Sequence, residues 1–68
     1  MKFNERLRTL REVRELSQTE VAKVINVSQR VYSNYECGQV EPSIQSLIAL
    51  ADFFNVSLDY LLCRKKKK

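Results

Sequence analysis

A chain of 68 residues, 44% hydrophobic and 29% charged, can build one small core but not a second domain or a deep cleft beside the first. A single Gly and a single Pro exclude a turn-rich β-sandwich or barrel. No apolar run reaches the roughly 20 residues of a membrane span, and no signal peptide is expected. There is no His, which removes the commonest general base and the commonest metal ligand. The net charge of +4 is unevenly placed: residues 64–68 hold five cations, residues 1–39 are mildly basic, and residues 40–63 carry only Glu41, Asp52 and Asp59.

Helix starts are marked by Asn4, Ser17, Ser28, Ser43 and Ser57. Each precedes apolar residues at 3–4 spacing, and each side chain can accept a bond from an amide in the first turn. The first helix is expected over about Asn4–Glu15, with Leu7, Leu10 and Phe3 turned inward. The second, about Gln18–Ile25, opens on the capping box Ser17-Gln18-Thr19-Glu20 and buries Val21, Ala22 and Ile25. The third, about Gln29–Cys37, buries Tyr32 and Tyr35 and stops at Gly38, which suits a left-handed terminus. Pro42 keeps Glu41 extended and separates the third helix from the fourth. The fourth, about Ile44–Phe54, carries a stripe of Ile44, Leu47, Ile48, Ala51 and Phe54. The fifth is a short turn or two over Leu58–Leu62. The expected fold class is all-α: a compact five-helix domain over residues 1–63, followed by a disordered basic tail over residues 64–68 that includes Lys65–Lys68.

Residues 17–37 place two short helices across the link Asn26-Val27-Ser28, which is the helix-turn-helix arrangement. Val27 can pack on Tyr32 as a hydrophobic staple and fix how the third helix leaves the turn. On a wheel of about 100° per residue, Tyr32, Tyr35 and Glu36 face inward. Gln29, Arg30, Ser33 and Asn34 face outward, with Val31 at the edge. These types suit base edges: Arg bidentate to guanine, Gln or Asn to adenine, and Val against a thymine methyl.

The run Gln18-Thr19-Glu20-Val21-Ala22, then Val27 through Gly38, then Pro42-Ser43 and the downstream Leu50-Ala51…Phe54-Asn55-Val56-Ser57-Leu58, resembles the phage Cro/repressor type of helix-turn-helix domain. The likeness extends from about Arg6 to Leu62. It implies that Gln18 binds a phosphate and braces the first residue of the recognition helix, and that Ser28 caps that helix and touches the DNA backbone. Gln29, Arg30, Val31 and Asn34 fall at base-reading positions and Ser33 at a flanking one. Arg11 and Glu36 match a partly buried salt bridge between the first and third helices. Two departures stand out. Gln39 and Val40 replace the cations usual after the glycine, so Gln39 meets a phosphate only as a neutral donor. Asn26 stands where Gly is frequent, and Asn tolerates the left-handed turn.

The expected function is therefore a sequence-specific regulator of transcription, repressor-like, that reads a palindromic double-stranded DNA operator as a homodimer. One recognition helix alone spans too few base pairs for useful specificity. The expected seam is the fifth helix, with Leu58, Tyr60, Leu61 and Leu62 joined by Phe53. The alternative is a protein-interaction module of antitoxin or adaptor type on the same fold. No catalysis is expected, because Ser and Cys lack a base. No cofactor, metal ion, membrane contact or small-molecule effector domain is expected. Cys37 and Cys63 form no metal-binding pattern and read as free thiols of a cytoplasmic protein.

Overall fold

The computed structural model describes residues 1–66. Among them run five helices and no strand: α1 (Phe3–Val13), α2 (Gln18–Val24), α3 (Gln29–Cys37), α4 (Ile44–Phe54) and α5 (Leu58–Leu61). Four of the five expected starts are capped as read. The Oγ atoms of Ser17, Ser28, Ser43 and Ser57 accept from the amides of Glu20, Val31, Ser46 and Tyr60 at 3.0–3.1 Å, satisfying donors that a helix end leaves free. Glu20 closes its box by accepting from the Ser17 amide at 2.9 Å. That bond, with the Ser17 hydroxyl, holds its carboxyl below the ordinary range. Asn4 is the exception. Glu5 accepts from the Lys2 amide at 2.8 Å, so α1 opens at Phe3, and the Asn4 side chain instead donates to the Glu36 carbonyl at 3.4 Å.

All five helices end by the same device. Glu15, Asn26, Gly38, Asn55 and Cys63 are left-handed, with φ between 56° and 77°. Each donates its amide to the carbonyl three residues back, and the next residue donates to the carbonyl five back, at 2.7–3.3 Å. This is the Schellman motif. It tucks Leu16, Val27 and Val56 half-buried against the core. At Gly38 an added Cβ would meet Asn4 at an ordinary 3.5 Å, so glycine is favoured by backbone angle rather than by space. Gly38, Asn26 and Asn55 are of the types that favour this conformation; Glu15 and Cys63 are not. After α5 the amides of Arg64 and Lys65 both donate to the Asp59 carbonyl at 2.7 and 3.2 Å. The first two residues of the expected disordered tail are therefore tied down. Lys67 and Lys68 lie outside the described residues.

The core is Leu7, Val21, Ala22, Ile25, Tyr32, Tyr35, Leu50, Ala51, Phe54 and Leu61. α2 packs on α3, α1 on α3 and α5, and α4 on α5. The expected α4 stripe needs correction. Ile44 is 75% and Ile48 45% exposed. The inward line runs instead through half-buried Leu47 and buried Leu50, Ala51 and Phe54, a 3–4–7 spacing that leaves Ile44 and Ile48, four apart, on another line. The expected seam is corrected at Leu61, while its Tyr60 and Phe53 are half-buried. Leu61 is fully buried at 0% exposure and completes the core. Tyr60 lies under Arg6, whose guanidinium is 3.9 Å from the ring and donates to the Tyr60 carbonyl at 2.8 Å. Phe53 stacks edge-on against Phe54, with the Arg14 guanidinium 5.6 Å from its ring. Leu58 and Leu62 stay exposed. Arg14 also donates to the Phe53 and Phe54 carbonyls at 2.9 Å each, a cation set on the carboxyl end of α4 where carbonyls lack helical donors.

Glu15 carries a Cβ penalty in its left-handed turn that glycine would not. Glu15→Gly is therefore expected to stabilise the fold by about 0.5–1 kcal/mol, read as a higher midpoint in thermal and urea unfolding. Unchanged or lower stability would show that the turn is not strained.

Candidate nucleic-acid interface

The turn between α2 and α3 is built from Asn26, left-handed at φ 61°, half-buried Val27, and Ser28, whose hydroxyl caps α3. It leaves α3 with one buried side, Tyr32, Tyr35 and Glu36. Gln29, Arg30 and Val31 are exposed, and Ser33 and Asn34 are half-buried. Arg30 and Asn34 lie one turn apart. Ser28 is exposed beside the start of α3, and Gln39 is exposed just past its end. The Gln39 amide is held to the Asn34 carbonyl at 3.0 Å. This exposed face is polar, with Arg30 as its only cation.

Beneath it runs a continuous polar chain. Arg11 Nε donates to Glu36 Oε2 at 2.6 Å and Arg11 Nη2 to Glu36 Oε1 at 3.0 Å, a bidentate pair across α1 and α3. Arg11 Nη1 donates to the Leu16 carbonyl at 2.8 Å and so fixes the approach to α2. Gln18 Nε2 donates to Glu36 Oε1 at 3.2 Å, and Gln18 Oε1 accepts from Gln29 Nε2 at 2.7 Å. The pairing of Arg11 with Glu36 and the bracing of Gln29 by Gln18 were expected from the resemblance. The direct bond from Gln18 to Glu36 was not. Its signal was present in the spacing, since Gln29 and Glu36 lie seven residues apart and so nearly in line along α3, where the exposed face meets the buried one.

The Glu36 side chain is 3% and the Arg11 side chain 14% exposed. Burial alone would raise the Glu36 carboxyl, but the donors Arg11 and Gln18 overcome it and hold the group below the usual carboxylate range. The bond to Glu36 raises the Arg11 guanidinium further. The Tyr32 hydroxyl is buried near the same carboxylate without hydrogen-bond geometry. Burial first, then the neighbouring Glu36 carboxylate, pushes that phenol up. Removing either partner strands a buried charge. Arg11→Ala and Glu36→Ala are each expected to destabilise by about 3 kcal/mol, well beyond an exposed pair. A double-mutant cycle without coupling would refute this. A carboxyl lowered on folding stabilises the fold fully above its unfolded value, about pH 4.3. That stability is lost as pH falls through the lower folded value. Urea titrations of the wild type should show this acid loss, and Glu36→Gln should flatten it.

A helix-turn-helix family profile matches residues 7–61. The HTH-type transcriptional activator BcrR of Enterococcus faecalis is 39% identical over 91% of this chain, which spans 30% of that protein. The HTH-type transcriptional regulator AnsR of Bacillus subtilis is 36% identical over 94% of this chain, which spans 55% of that protein. The chain thus spans about half or less of the curated relatives it matches. Among solved structures, the P22 c2 repressor in complex with a synthetic operator superposes with a TM-score of 0.86 at 32% identity, over 91% of this chain and 94% of that one. With the match covering both helices of the turn and the core that supports them, the chain belongs to the helix-turn-helix family, in the Cro/repressor-like branch.

Proposed function

We propose that this chain is the DNA-binding module of a transcriptional regulator, and that α3 enters the major groove of duplex DNA. The observation that carries the reading is the presentation of Gln29, Arg30 and Val31, all exposed, with Asn34 one turn on, by a helix whose other side is locked to α1 and α2. Arg30 suits guanine, Gln29 and Asn34 suit adenine, and Val31 suits a thymine methyl. Gln18, Ser28, Ser33 and Gln39 border this face and take phosphates, which set register rather than sequence. The structural likeness to a repressor that is itself bound to an operator supports the same docking. No helix among the described residues is long and apolar enough to cross a membrane.

A two-fold operator calls for a dimer, with recognition helices about 34–36 Å apart. The apolar side chains left exposed on α4 and α5, Ile44 and Ile48 with Leu58 and Leu62, supply its seam. They lie in the acidic half of the sequence, away from the positively charged segment that carries α3.

Selection of bound sites from random duplex DNA tests the reading directly. Arg30→Ala is expected to lose roughly 1–3 kcal/mol on the best site and to relax one base position. Equal loss on random DNA would reduce Arg30 to a phosphate contact. Leu58→Glu is expected to shift sedimentation equilibrium toward monomer and to weaken binding to a two-half-site operator more than to a single half-site. Unchanged association would remove α5 from the seam.

A further inference from the structure

We infer that Glu36 is a positioning residue for base reading: through Gln18, it fixes which edge of the Gln29 carboxamide is offered to DNA. The inference rests on the reading of Gln29 as a base contact. A carboxylate only accepts hydrogen bonds. Both Glu36 oxygens are held by Arg11, at 2.6 and 3.0 Å, so the group cannot rotate without losing a charged donor. Gln18 must therefore turn its Nε2 toward Glu36, at 3.2 Å, which turns its Oε1 outward. Gln29 must meet that oxygen with its own Nε2, at 2.7 Å. The Gln29 carbonyl oxygen and its second N–H remain for an outside partner, in a defined order.

That order matters because the two orientations of a terminal amide are nearly isosteric but chemically opposite. Adenine offers an acceptor at N7 beside a donor at N6, and a carboxamide matches it in one orientation only. Gln29 is exposed, so packing does not choose the orientation. The hydrogen-bond chain does. Its origin, Glu36, is 7% exposed and never reaches the groove. Glu36→Gln keeps the shape but can place either oxygen or nitrogen opposite Gln18. Gln18 and Gln29 are then free to adopt both orientations.

The test measures affinity for the selected operator and for every single-base variant of it. Gln29→Ala identifies the base pair that Gln29 reads, and Arg30→Ala marks a control pair. A bidentate amide contact discriminates by roughly five- to a hundredfold. Glu36→Gln is expected to lose most of that factor at the Gln29 pair and to keep the discrimination at the Arg30 pair. Gln18→Met breaks the chain at a half-buried site without touching the bonds between Arg11 and Glu36. It is expected to lower affinity for all DNA through its lost phosphate contact and to show the same selective loss of discrimination at the Gln29 pair, and the double variant is expected to lose no more discrimination than either single one. In the DNA-free protein, the side-chain amide resonances of Gln29 should shift on Glu36→Gln and stay still when the same change is made in the Gln18→Met background.

Loss of discrimination spread evenly over all base pairs, or a Glu36→Gln effect on discrimination that persists in the Gln18→Met background, would overturn the inference in favour of a purely structural carboxylate. Retained discrimination at the Gln29 pair would overturn it too, while leaving Gln29 as a base reader. If Gln29→Ala changes no base preference, the reading of Gln29 fails and the inference falls with it. Should Glu36→Gln not fold, Gln18→Met decides alone: selective loss at the Gln29 pair supports the chain, and its absence refutes it.

Discussion

The bidentate bond between Arg11 and Glu36 ties together parts of the chain that local propensity leaves independent. α1 and α3 are short helices, too short to persist alone in water. Arg11 joins them, and its third nitrogen holds the Leu16 carbonyl where the chain turns into α2. One guanidinium thereby sets the relative placement of three helices. The price of burying two charges is met only because all three guanidinium nitrogens and both acceptor oxygens find partners. A lysine could not substitute, since a point charge lacks the planar fork that reaches Oε1, Oε2 and a carbonyl at once.

Much of the fold is legible in the sequence because its signals are local. The Ser caps mark the starts of α2 to α5, and α3 and α4 fall on the predicted residues. The failures have physical reasons. Asn4 reads as a cap, but Glu5 satisfies the Lys2 amide first and the helix begins earlier. Ile44 and Ile48 read as core because apolar spacing does not say which of two adjacent stripes faces inward. Tertiary packing chose the line through Leu50 and Phe54. Leu61 reads as surplus apolar surface on a short helix, yet it is the residue that closes the core. Glu15 and Cys63 gave no hint of left-handed backbone, since neither type favours it. There the motif's hydrogen bonds impose the conformation.

The candidate site was legible as a set of residue types on one helical face, and less so as a network. Wheel geometry separates Gln29, Arg30 and Asn34 from Tyr32 and Tyr35 without reference to any partner. It does not reveal that Gln18 faces two ways, because that depends on α2 lying against α3. A glutamine is suited to such a place. Its carboxamide donates at one end and accepts at the other, and its two methylenes give it reach, so it can join a buried anion to an exposed amide.

The burial of Leu61, together with the grip of Arg6 on Tyr60, has a consequence for how the chain acquires its structure during synthesis. Helical turns can form fleetingly as each segment leaves the ribosome, and such local order is fast, but none of these short helices persists alone. The core, however, remains open on one side until residue 61 has emerged. Arg6 waits for a carbonyl made 54 residues later. Translation therefore delivers a loosely organised set of helices whose cooperative locking comes late, and a ribosome stalled ahead of α5 would display an unsealed apolar surface to chaperones and proteases.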